Sequence, residues 1–205
     1  MKFDELSIDG AYAIEVERKT DERGYFGRIW CRDEFAALGI EVDMIQASVS
    51  HNRCAGTLRG LHFTWPPSCE AKLVRCGYGR IFDVLVDLRP YSPTYLSHVG
   101  IELDARSYKA LYIPQGVAHG FQSLVDESDV VYMMTETYRP EFADGVRYDD
   151  SVFGIRWPMP VSMIAERDRT YADFDEGAHR RRFESAASQA RRIDESGTTI
   201  GGAIK

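Results

Sequence analysis

The sequence predicts a mainly β chain, a sandwich or barrel with a few short peripheral helices, and three observations carry that prediction. From about residue 7 to 138, short stretches rich in β-branched and aromatic residues are punctuated by Gly, Pro, Asn and Asp at the spacing such folds use. The segment RIFDVLVDLRP (80–90) alternates with period two, placing Phe82, Val84, Val86 and Leu88 on one face and Ile81, Asp83, Leu85 and Asp87 on the other. Helical signals are sparse.

Taken in order, Glu34 to Leu38 in CRDEFAALGI makes a short helix or turn, stopped by Gly39. In the 80–90 strand one face is core, while the face with two aspartates is either solvated or lines a polar cavity. YSPTYLSHVG then turns the chain, and SYKALYIPQG leads into a loop shaped by Pro114 and Gly116. DVVYMMTETY (129–138) is a further strand with Val130, Tyr132, Met134, Glu136 and Tyr138 on one side. After Pro140 the character changes. FADGVRYDDSVFGIRWPMP and AERDRTYADFDEG carry few strand signals and are expected to wrap the domain. From Glu176 to Asp194 the pattern suits a charged, peripheral helix whose apolar stripe is only Phe183 and scattered alanines. ESGTTIGGAIK is Gly-rich and without periodicity, so it is expected to be mobile. The organisation expected is one domain over 1–175, then a helix and flexible tail over 176–205.

Composition narrows the function classes. The chain has 205 residues, 44% hydrophobic and 28% charged, which suffices for one sizeable core. Its formal charge is -7 with no basic arm, which argues against binding a nucleic-acid backbone; an anionic ligand needs a local basic pocket. No apolar run approaches a membrane span, and MKFDELSIDG lacks the features of a signal peptide, so a cytoplasmic location is expected. The four cysteines, Cys31, Cys54, Cys69 and Cys76, form no CxxC pair, and free thiols are the expectation.

The densest chemistry lies in GTLRGLHFTWPPSCEAKLVRC, which holds Arg59, His62 and Lys72. Arg59 and His62 are three apart and so face opposite ways in a regular strand; a bulge at Gly60 would turn both inward. The alternative is a hydrogen-bonded core histidine flanked by two solvated cations. A second cluster, IPQGVAHGFQ, sets Pro114, Gly116 and His119 in a P-x-G-x-x-H pattern. This resembles the second motif of the cupin superfamily, whose fold is a jelly-roll barrel, the double-stranded β-helix. The first cupin motif is broken, because Thr64 stands where its second histidine belongs. A metal held by His62, Glu70 and His119 is conceivable, but the missing ligand argues for none.

A closer resemblance is to the dTDP-4-dehydrorhamnose 3,5-epimerases, metal-free cupins. It covers about residues 8 to 170 and rests on DERGYFGRIW, LRGLHF, EAKLVRCGYGRIFDVLVDLRPYSPTY, LYIPQGVAHGFQ, VVYMMTETYRPE, DDSVFGIRWP and AERD in fixed order. The resemblance implies an enzyme that inverts the carbons on either side of a 4-keto group on a dTDP-4-keto-6-deoxyhexose, without a cofactor. Each such carbon bears a hydrogen alpha to the ketone, so a base can remove it to an enolate and an acid can reprotonate the opposite face. By resemblance His62 is the base, Asp168 the carboxylate orienting its imidazole, Tyr132 the acid and Lys72 the cation beside the oxyanion. Arg23 and Arg59 match diphosphate contacts, His119 a sugar-site residue, Gln46 and Ser50 polar nucleotide contacts, and Phe26 an aromatic near the thymine. Tyr138 matches a substrate contact, although six residues beyond Tyr132 is about 20 Å along an ideal strand, so the strand must bend or end between them.

The chain departs from many members of this family at Ser48, Thr64 and Met133, where Asn, Gln and Lys are frequent. The first two bear on substrate choice. Two other readings follow: a single-position 3- or 5-epimerase on a related sugar nucleotide, and a non-catalytic or metal-binding cupin. The resemblance also implies a homodimer in which a strand or N-terminal segment joins the neighbour's sheet, which would cover an otherwise bare strand edge.

Overall fold

Period-two alternation builds two facing sheets. In the computed structural model, which describes the backbone of residues 1–195 and side chains through 186, the elements run as follows. Strands β1 (Lys2–Glu5) and β2 (Tyr12–Glu15) precede a hairpin of β3 (Lys19–Asp21) and β4 (Gly24–Phe26), then helix α1 (Arg32–Ala36). The body comprises β5 (Gln46–Asn52), β6 (Thr57–Thr64), β7 (Lys72–Tyr78), β8 (Arg80–Asp87), β9 (His98–Asp104), β10 (Ala110–Ile113), β11 (Val117–Ser123) and β12 (Ser128–Met134). Short strands β13 (Ala143–Gly145) and β14 (Met163–Ile164) follow, then helices α2 (Glu166–Arg169) and α3 (Glu176–Glu195). One sheet has the order β1-β2-β10-β7-β12-β5 and the other β13-β6-β11-β8-β9, with β14 parallel to β6. The mainly β, jelly-roll expectation holds.

The inward faces of both sheets interdigitate: Val74, Leu111 and Val130 from one meet Ile81, Leu85 and Phe121 from the other. The outward faces are also covered. On the second sheet Phe63, Val84, Val86 and Leu88 lie under Val146, Phe153 and Phe183, contributed by the wrapping segment and α3. On the first, Leu73, Ala110 and Tyr112 pack with Phe35 of α1. This decides between the alternatives left open for the 80–90 strand and shows that both its faces are core. Its aspartate-bearing face is not solvated, for Asp83 and Asp87 are each 0% exposed. A carboxylate buried so deeply requires compensation. Asp87 finds it in Arg89, which donates Nε to Oδ1 at 2.9 Å and Nη2 to Oδ2 at 2.8 Å, and in the hydroxyls of Ser92 and Thr94 at 2.5 and 2.7 Å.

Helix α1 begins two residues before the expected Glu34 and ends in a turn with Gly39 at φ +76°. The α3 span matches expectation at 176 but ends at Glu195, one residue later. Although outside the barrel, it is anchored: Phe183 is 7% exposed and His179 donates Nε2 to the Leu88 carbonyl at 2.7 Å. The tail expected to be mobile falls, beyond Glu195, outside the described residues. Among the described residues no helix is long and apolar enough to cross a membrane, and all four cysteines are free thiols.

The feature that positions the site is a bulge. Strands β6 and β11 pair His62 with His119 and Arg59 with Phe121, so three steps on β6 oppose two on β11. Gly60 supplies the irregularity at φ +105°, and a Cβ there would lie 2.6 Å from the His119 carbonyl oxygen.

Candidate active site

Because of that bulge, Arg59 and His62 open into the same cavity of about 410 Å³ at one end of the barrel. Its walls come from opposed sheets. Strand β6 provides Arg59 and His62 and β11 provides His119; facing them, β5 provides Gln46 and Ser50, β7 Lys72 and β12 Tyr132. Tyr138 joins them because β12 ends at Met134 and the chain turns, so the distance along an ideal strand does not apply. Its backbone N–H donates to Gln46 Oε1 at 3.3 Å.

His62 lies 2.7 Å through Nε2 from Asp168 Oδ1, and Asp168 Oδ2 accepts the Gly60 N–H at 3.0 Å. Burial works to raise the Asp168 carboxyl, but the hydrogen bonds from His62 and Gly60 outweigh it and hold it below the ordinary carboxylate range. An ionised carboxylate only accepts, so Nε2 is the donor and Nδ1 is left free to take a proton. Asp168 is itself 4% exposed, on the short helix α2 that the wrapping segment brings against β6.

Across the cavity, burial pushes the Tyr132 phenol well above its usual value, and the neighbouring Asp83 charge pushes it further while Arg59 opposes. Tyr132 is therefore a neutral O–H, able to donate. Its ring meets His119 edge-on at 5.8 Å, and His119 Nε2 lies 3.0 Å from Asp83 Oδ2. Complete burial raises the Asp83 carboxyl in turn, with His119 offsetting part of the rise.

The cations divide into two kinds. Lys72 Nζ is paired with Glu70 Oε1 at 2.5 Å. Arg59, by contrast, donates only to neutral acceptors, Asn52 Oδ1 at 2.8 Å and the His51 carbonyl at 3.1 Å. Arg167, beside Asp168, also lines the cavity. Among the described residues neither guanidinium forms a salt bridge with a carboxylate, although the Asp168 charge lies near Arg167, so the cavity keeps two forked donors free of direct ion pairing. Such forked donors match the geometry of phosphate oxygens.

Two expected residues are not brought to this cavity within one chain. Arg23 and Phe26 sit on the exposed β3–β4 hairpin, where Arg23 pairs with Asp21 at 2.6 Å and Phe26 is 76% exposed. Conversely, Arg167 has no role in the sequence reading, Glu70 enters it only as a conceivable metal ligand, and Asp83 only on a strand face that is solvated or lines a polar cavity. Arg167 was legible as the neighbour of Asp168 in AERD, and Asp83 as the charged position on an alternating strand. Glu70, His62 and His119 all line the cavity but do not come close enough to share a metal ion: each pairs with a different partner, and among the described residues no three His, Cys, Asp or Glu side chains gather closely enough to hold one.

Residues 5–176 match the family model described as dTDP-4-dehydrorhamnose 3,5-epimerase. The chain belongs to the dTDP-4-dehydrorhamnose 3,5-epimerase family. Among members of that family, the 3,5-epimerase of Methanothermobacter thermautotrophicus is 43% identical over 83% of this chain and 92% of its own length. The Streptomyces niveus protein named dTDP-4-dehydrorhamnose 3-epimerase is 38% identical, covering 82% of each chain. A crystal structure of the Bacillus anthracis dTDP-4-dehydrorhamnose 3,5-epimerase with TDP and PPi bound superposes with a TM-score of 0.81 at 34% identity, over 84% of this chain and 99% of that one.

Proposed function

We propose that the chain is a dTDP-4-dehydro-6-deoxy-D-glucose 3,5-epimerase that works without a cofactor. The observation that carries the reading is the placement of an oriented base and a neutral acid on opposed walls of one cavity, His62 held by Asp168 on β6 and Tyr132 on β12. A hexose ring between the two sheets presents one face to each. His62 Nδ1 takes the proton from a carbon alpha to the ketone, the C–H electron pair moves into an enolate, and Lys72 balances the charge growing on its oxygen. The Tyr132 O–H then delivers a proton to the opposite face of the same carbon, inverting it. Protons are the only species exchanged, and His62 and Tyr132 are restored through solvent. Arg59 and Arg167 hold the diphosphate, with Gln46 and Ser50 toward the nucleotide.

The match to a relative named as a 3-epimerase favours one other reading, inversion of a single carbon. Incubation with dTDP-4-keto-6-deoxyglucose in deuterated water separates the two. Two deuterons, one on each side of the ketone, are expected by mass spectrometry and proton NMR; one deuteron assigns the single-position epimerase, and none, with nucleotide bound, refutes catalysis on this sugar.

The same reading takes residues 1–175 as the catalytic domain and 176–205 as an appended helix and tail, acting in the cytoplasm as a homodimer. What supports the dimer is the β3–β4 hairpin, whose exposed Arg23 and Phe26 would complete the neighbour's cavity. Light scattering at micromolar concentration is expected to give twice the chain mass, and Arg23→Ala to raise KM about tenfold without altering that mass. A monomeric mass with full activity would refute this arrangement.

A further inference from the structure

The Lys72 ammonium lies in the cavity, yet it is already neutralised. Glu70, two residues earlier and 9% exposed, lines the same cavity and approaches Nζ at 2.5 Å. A pair buried to this degree, with side-chain exposures of 13% and 9%, gives little net stability and is a poor explanation for its own presence. The support behind it is more telling. Glu136 accepts the Cys69 N–H and the Ser68 hydroxyl, each at 2.8 Å, and the Ala71 N–H donates to Thr135 Oγ1 at 2.8 Å. The backbone on both sides of Glu70 is thereby tied to the end of β12, the strand that carries Tyr132. The Glu70 backbone is thereby held in place and its side chain is buried, whereas Lys72 is a four-carbon stem with many rotamers.

We propose that Glu70 is a positioning residue: it holds the Lys72 ammonium at the place where the oxyanion forms, by accepting one N–H and leaving the other two for the substrate. The inference rests on the role given to Lys72 under the proposed function. What Glu70 supplies is an acceptor oxygen in a fixed place, and its charge is dispensable. The negative charge even opposes an enolate a few ångströms away.

The test is a double-mutant cycle on the full chain, read by solvent-deuterium incorporation, with thermal midpoints measured alongside. Glu70→Ala is expected to lower kcat at least tenfold with KM changed less than twofold. Glu70→Gln, which keeps an acceptor oxygen and removes the charge, is expected to restore kcat to the wild-type value or above. Combined with Lys72→Met, Glu70→Ala is expected to add no further loss. Multiplicative losses in the double variant, a rise in KM in place of a fall in kcat, or activity that merely follows the thermal midpoint in both Glu70 variants overturns the inference while leaving Lys72 in its role. Wild-type kcat in Lys72→Met overturns the role of Lys72 and this inference with it.

Discussion

His62→Ala is expected to slow solvent-deuterium incorporation by about 10²–10⁴-fold, the range that a positioned general base contributes. The substituted side chain is half-exposed in the cavity, so no core cavity opens, and the Gly60 N–H and the nearby Arg167 charge still stabilise the Asp168 carboxylate it leaves, so the fold is retained with some loss of stability. Nucleotide affinity is expected to stay within about threefold of wild type, because Arg59 and Arg167 stand apart from the dyad's hydrogen bonds. Isothermal titration with dTDP checks the second half and mass spectrometry the first. Retained exchange would remove His62 from the role of base. The dyad also has an acid limb: a carboxyl held below its unfolded value, as Asp168 is, adds stability above pH of about 4 that is lost as pH falls through the folded value.

The largest effect on stability is expected far from the cavity, at Asp87. Its carboxylate accepts from Arg89, Ser92 and Thr94, and from the Arg89 N–H at 3.0 Å, at the turn between β8 and β9. Burial alone would raise its carboxyl, but these donors outweigh it and hold the group below the ordinary range. Asp87→Ala leaves Arg89, 7% exposed, without its partner. Breaking a buried pair by removing one member costs about 3–5 kcal/mol, which in a chain of this size lowers Tm by about 6–20 °C. Calorimetry at neutral pH measures it. A drop below about 3 °C would mean that water or Asp9, whose carboxylate is 3.9 Å from Arg89, takes over the pairing. In the wild type the same network contributes fully above pH of about 4 and fades below it, so the difference between the two proteins is expected to narrow in acid.

Much of this was readable from residue order because it depends on local periodicity. Alternation located β8, and the odd spacing of Arg59 and His62 around Gly60 located the bulge, since only a re-phased strand puts both side chains on one face. The environment of Asp83 and Asp87 was not readable, because period two says which residues share a face and not what covers it. The second sheet and the Arg89 turn supply the cover from elsewhere in the chain. Tyr138 depended on where a strand stops, which the alternation of MMTETY hides. Asp168 and Arg167 lie in a segment with no periodicity at all, and the place of Asp168 could be inferred only by resemblance. Glu70 carried a clear signal two residues before Lys72, but on a loop that spacing leaves orientation open.

The dyad joins residues 106 positions apart, one on a central strand and one on a four-residue helix at the end of the wrapping segment. Such a peripheral segment, with few strand hydrogen bonds of its own, belongs among the regions that open before the whole molecule does. Turnover is then a local thermometer. On heating, epimerisation should cease some degrees below the calorimetric midpoint and return at once on cooling, and a protease present during that interval would cut around α2 while leaving the barrel whole.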